Sequence, residues 1–223
     1  MSRGLNVIAG LAMGVFACGQ VKGPAPKTLD GKVDLSGVWI LSGSTQLPSD
    51  PSYQPEAKKL YEERKANKGK DDPEKDCLPD GAVRVTDRPY KIVQTPKLVV
   101  LLSEGNTHSY RRFFLDGRPH DLEVEPTTWN GNSIGHWEGD TLVVDTIGFN
   151  DRSWLDGTGK PHSESLHLTE RYRRPDLGHL QIAYTLDDTV AFTKPYTFTR
   201  VFHLVTDRDL KEYFCAGDRF AGK

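Results

Sequence analysis

The sequence predicts a mostly-β protein: an antiparallel meander of about nine or ten strands closed into a barrel, with one helix near the N-terminus. Three observations carry that reading. From residue 88 onward, short runs of alternating or continuous apolar residues follow one another, as strands require. The turns between them ("EG", "PDLG", "DR") are short enough to force antiparallel neighbours. A sheet of that many strands would leave long unpaired edges, and closure removes them.

The chain opens with MSRGLNVIAGLAMGVFAC, one arginine followed by an uncharged apolar run too short to span a bilayer comfortably. Residues 1–18 therefore read as a signal peptide. Val15-Phe16-Ala17-Cys18 resembles a bacterial lipobox, in which Cys18 is lipidated after cleavage; plain secretion is the alternative. Residues 19–33, with their glycines, prolines and lysines, read as a flexible tether, and 34–223 as a single β-barrel domain.

Within that domain, Leu35 to Gly43 is an apolar run bounded by glycine, a first strand. In QPEAKKLYEERKANKGKDDPE, Pro55 suits a first helical turn and Glu56 complements the helix N-terminus. Ala57, Leu60 and Tyr61 make an apolar stripe, and Gly69 supplies a stop. The expected strands after it are YKIVQT, KLVVLLSE, THSYRRFFLDG, NSIGHW, DTLVVDTIGF, HSESLHLTERYRR, HLQIAYTLDD, YTFTRVFHLVT and DLKEYFC. Their punctuation comes from 21 glycines and 14 prolines spread through the chain.

A formal net charge of −2, with both signs mixed along the chain, provides no field to draw nucleic acid or an anionic bilayer. Membrane contact is expected only through a lipid on Cys18. With Cys18 set aside, Cys77 and Cys215 remain, and an even pair in an exported chain reads as a disulfide. Such a bridge would contribute at most about 4–5 kcal/mol; two buried free thiols are the alternative.

The blocks GHWEGDTLVVDTIGFND and PHSESLHLTERYRR, with flanking segments over most of residues 34–215, resemble an uncharacterised family of exported bacterial proteins. That resemblance implies export and a mostly-β fold, and it brings no reaction with it. LSGVW also resembles the Gly-x-Trp that opens lipocalin-like barrels, which implies a barrel of that kind.

Candidate chemistry concentrates in those two blocks. With Glu138-Gly139 as the turn of a hairpin, Trp137 faces Asp140, His136 faces Thr141 and Asn132 faces Asp145. Asn132, His136 and Asp145 then share one face, and His136 and Asp145 suit two walls of a pocket. The plainer reading leaves His136 solvated and lets Asp145 cap a backbone group. As a strand, HSESLHLTERYRR puts His162, Glu164, Leu168, Glu170 and Tyr172 on one face. Glu170 or Glu164 paired with a histidine across the barrel would form an acid–base couple, its carboxyl raised by an apolar cavity. Pairing with cations on a wet face is the alternative. His162, Glu164 and His167 are metal-ligand types, but His167 points away from the others, so no metal is expected. Arg111 and Arg112 fall on opposite faces, and Arg112 is assigned to the lining. In NDRSWLDGTGKPHS, Asn150 and Trp154 suit a small ligand or sugar at the barrel mouth; a Trp154 that merely plugs the end is the alternative.

The leading expectation is thus an exported, lipid-anchored barrel that holds a small organic molecule. His136, Asp145, His162 and Glu170 are its candidate catalytic groups, and Arg112, Asn132, Asn150, Trp154 and Tyr172 its candidate ligand contacts. It is either a cofactor-independent lyase, isomerase or hydrolase, or a carrier or sensor without catalysis. A third reading is an envelope interaction module, which predicts a filled barrel and an outer apolar patch.

Overall fold

Strands follow one another as the sequence leads one to expect. A computed structural model describes residues 21–105, 109–121 and 127–215. The expected signal peptide and the lipidation site Cys18 lie outside the described residues. The strands are β1 (Gly37–Leu41), β2 (Tyr90–Gln94), β3 (Leu98–Ser103), β4 (Tyr110–Phe114) and β5 (Asn132–Glu138). They continue with β6 (Thr141–Ile147), β7 (His167–Arg173), β8 (His179–Asp187) and β9 (Tyr196–Val205). Each pairs with the next and β1 also pairs with β9, so the sheet closes into a nine-stranded barrel. The single α-helix among the described residues, α1 (Pro55–Ala66), starts on Pro55 and ends before Gly69, which takes φ +66°. Of its apolar stripe only Tyr61 is fully buried.

Four expectations need correction. First, the meander is not antiparallel throughout: β4 and β5 pair parallel, through Phe113–Ser133 and Phe114–Ile134. The segment between them must therefore cross from one end of the barrel to the other, as a parallel neighbour requires. Second, DLKEYFC forms no strand; it runs out to the Cys77–Cys215 disulfide, Cα–Cα 5.8 Å. Third, β7 begins at His167, because Ser163 to Leu166 close a turn (Leu166 N to Ser163 O, 3.2 Å). Fourth, the hairpin turn is Gly139-Asp140, with Glu138 opposite Thr141 and His136 opposite Val143. Gly139 takes φ +59°, a conformation a tight turn needs and glycine adopts freely. That shift changes the partners but keeps the faces, so Asn132, His136 and Asp145 do share one side of the sheet.

The side they share is the outer one. Phe113, Leu142, Val144, Leu168, Tyr172, Ile182, Tyr184 and Phe202 point into the lumen, none more than 1% exposed. A void wide enough for water would leave accessible surface on these side chains, so the lumen is packed along this length.

The barrel ends differ. At the floor, the Trp39 indole donates to Leu35 O (3.0 Å) and the Arg174 guanidinium lies 4.8 Å from the Trp39 ring centre. Arg174 also donates to Asp34 O at 2.6 Å, and Val33 and Leu35 are buried. Lys27 pairs with Val33 within the expected tether, and the Gln94 amide of β2 donates to Val33 O at 3.0 Å while Lys27 reaches Asp140 of the β5–β6 turn, so this stretch lies against the floor. The connections β1–β2, β3–β4, β6–β7 and β8–β9 all emerge at the opposite end, the mouth. There Ala82, Val83 and Val85 plug the opening. The lumen arginines hold the plug by its backbone: Arg111 donates to Ala82 O (3.4 Å) and Arg200 to Val83 O (3.0 Å).

Candidate functional site

The expected catalytic set is dispersed over three places. Glu170 and Tyr172 are in the lumen. Glu170 accepts two hydrogen bonds from the Arg111 guanidinium, at 2.9 and 2.5 Å, and one from the Tyr172 hydroxyl at 2.9 Å. Arg111 also reaches the hydroxyls of Ser133 and Thr146. Burial works against the Arg111 charge, but Glu170 outweighs it and raises the Arg111 pKa; burial likewise raises that of Tyr172. A fork-on-fork pair of this kind answers both charges. No histidine among the described residues faces the lumen. Arg111, not Arg112, is the inward arginine; Arg112 is exposed on the outer wall.

His136 and Asp145 lie on that outer wall. His136 is exposed beside Glu138 (3.2 Å). Asp145 bridges two imidazoles, His120 Nε2 at 2.7 Å and His167 Nε2 at 2.5 Å, while His120 Nδ1 meets Asn132 Oδ1 at 2.9 Å. Although partial burial would raise the Asp145 carboxyl, the two histidines hold it below its usual value. His120 thereby fastens the β4–β5 crossover to the barrel. Among the described residues no group of three or more His, Cys, Asp and Glu side chains is placed to hold a metal ion.

His162, Asn150 and Trp154 belong to the β6–β7 loop at the mouth, and this loop is a built structure. Asn150 Oδ1 accepts Arg152 N–H at 3.2 Å. His162 Nε2 meets Ser153 Oγ at 2.8 Å, and its Nδ1 meets Ser163 O at 3.0 Å. Since a carbonyl can only accept, Nδ1 carries the proton and Nε2 accepts from the Ser153 hydroxyl. Burial lowers the His162 pKa, in keeping with a neutral ring. Both side chains are buried, with Ser153 turned onto Gly81 of the plug, so the pair fastens loop to plug. Asp156 accepts from Leu47 N (3.0 Å), Thr158 N (2.9 Å) and Lys160 Nζ (3.0 Å). Asp188 caps Ser163 through its N–H and hydroxyl, both 2.7 Å.

Two open clefts of about 550 Å³ each flank α1 against this loop. One is walled by Tyr61, Lys65, Lys68 and Lys160, but Lys160 is already engaged by Asp156 and by Asp50 at 3.2 Å. The other is walled by Leu60, Arg64, Leu78, Trp129, Arg152 and Trp154, with Glu63 and Asp71 at its rim. Trp154 is 3% exposed and carries the Arg64 guanidinium 5.0 Å from its ring centre. It packs against α1 and lines the cleft. Arg64, Trp129 and Arg152 were not singled out by the sequence. Trp129 sits in a stretch without strand or helix period, and Arg64 reads as one cation among many on a charged helix.

Fold and site together define a closed nine-stranded barrel with a packed lumen and a structured mouth. No family model and no curated protein matches the chain. Among solved structures, a single-substitution mutant of the fluorescent protein UnaG matches at 12% identity, over 78% of this chain and 97% of its own, with a TM-score of 0.37. A likeness at that level carries no argument about function. The resemblance to exported bacterial proteins rests on the two sequence blocks alone.

Proposed function

We propose that this is a small-molecule-binding barrel of the bacterial envelope, whose ligand sits in the mouth cleft between α1 and the β6–β7 loop. One observation carries the reading: a cleft of about 550 Å³ walled by Trp129, Trp154, Leu60 and Leu78 stands beside a lumen with no room for a ligand. That volume and that apolar lining suit a small organic molecule. The loop behind it is held by buried hydrogen bonds, so the site is formed before a ligand arrives. The disulfide supports export, since such bridges persist in oxidising compartments. Catalysis by a lumen histidine and carboxylate has less in its favour, because Glu170 is paired with Arg111 and the described histidines stand elsewhere.

A thermal-shift screen against a metabolite panel tests this. A stabilising compound should lose its effect in Trp129→Ala and keep it in Tyr172→Phe; the reverse pattern would return the site to the lumen. The interaction-module reading is favoured by the packed lumen and by partly exposed Val93, Leu102 and Tyr110 on the outer wall. It gains if no small molecule in the panel stabilises the protein.

A further inference from the structure

We infer that the mouth cleft selects a planar organic monoanion, with Arg64 and Arg152 as its charge partners; this rests on the cleft reading above. The fully buried arginines of the protein are each matched. Arg84 is matched by Asp72 and Glu74, Arg111 by Glu170, and Arg200 by Asp87 at 2.8 Å. Arg174 is matched by backbone carbonyls. Arg64 departs from that pattern. It is half-buried and fixed in place, stacked on Trp154, with its stem against Gly159 and one Nη1 bond to Gly159 O at 3.3 Å. A side chain at Gly159 would stand 2.7 Å from Arg64 Cβ, so glycine there allows the close approach.

No carboxylate pairs with Arg64 among the described residues, and burial lowers its pKa with only Asp151 and Asp72 opposing at longer range. A desolvated guanidinium held rigid without a counter-charge is poised for an anion. Arg152, on the same cleft, is exposed and likewise makes no ion pair among the described residues. Trp129 supplies a flat apolar wall for a ring, and Trp154 backs the Arg64 guanidinium from behind. Glu63 and Asp71, exposed at the rim, would repel a second negative charge. A flat ring bearing one carboxylate answers all of these features.

Isothermal titration with three near-isosteric probes tests the inference at neutral pH and low salt. Indole-3-acetate should bind at least about tenfold more tightly than indole-3-acetamide, and tryptamine most weakly. Arg64→Gln and Arg152→Gln should each abolish the preference for the acid while leaving acetamide affinity unchanged. Arg152 is exposed, so its variant keeps the test valid if Arg64→Gln unfolds. Equal binding of acid and amide, or tighter tryptamine binding, overturns the anion inference and leaves the cleft reading standing. If none of the three binds, the anion inference is overturned, and the thermal-shift screen alone decides the cleft reading.

Discussion

Asp80 is 2% exposed, and among the described residues neither of its carboxylate oxygens has a hydrogen-bond donor. Burial pushes its carboxyl up to about 7, Glu74 and Asp87 add to the rise, and Arg84 and Arg88 oppose it. The sign for stability follows. Between about pH 4 and 7 the unfolded chain has released a proton that the folded chain still holds, so stability falls as pH rises through that window. For a shift of this size the loss is on the order of 4 kcal/mol. Asp87, raised by burial against Arg200, adds in the same direction. Asp80→Asn should therefore be more stable than the parent at pH 8 and show a shallower decline from pH 4 to 7 in urea unfolding. An unchanged decline would mean that Asp80 is answered by a donor in solution. At this scale the sequence was partly readable. It put Glu170 and Tyr172 on one face, which is the lumen face. It assigned the inward place to Arg112 when Arg111 holds it, because Phe113 and Phe114 offer an aromatic to either side.

The plug and the β6–β7 loop meet at Gly81. It takes φ +82°, and a Cβ there would stand 2.4 Å from Ser153 Oγ. Gly81→Ala thus faces both backbone strain and a collision with a buried hydroxyl that His162 holds. A loss of about 1–3 kcal/mol is expected, measured by chemical denaturation. A smaller loss in Gly81→Ala with Ser153→Ala than in Gly81→Ala alone would locate the collision. The hairpin β5–β6 teaches a related point about legibility. Its strands were plain from alternation, yet its turn was misplaced by one residue because Glu138-Gly139 and Gly139-Asp140 both read as turn dipeptides. Faces survived the error; partners did not. The β7 start was lost for another reason: HSESLH alternates like a strand, but Asp188, distant in sequence, captures Ser163 and bends the chain.

For the whole molecule, closure was legible because so many short strands must close or stack to hide their edges, and a barrel hides them most completely. The parallel β4–β5 step was not, since the crossover 115–131 has no apolar period to announce it. Nor was the inward face of β5 and β6, because Ile134 and Val143 put apolar residues on the outside too. That ambiguity moved His136 and Asp145 from an imagined pocket to the surface, and His162, expected on a lining strand, joins Asn150 and Trp154 in the mouth loop instead. The lumen is packed, and the proposed binding belongs to the mouth. The indole N–H signals of a two-dimensional NMR spectrum report on it directly, as Trp39 lies at the lumen floor and Trp129 and Trp154 at the cleft. On titration with indole-3-acetate, Trp129 and Trp154 should shift and Trp39 stay fixed. A moving Trp39 beside unmoved Trp129 and Trp154 would contradict the account.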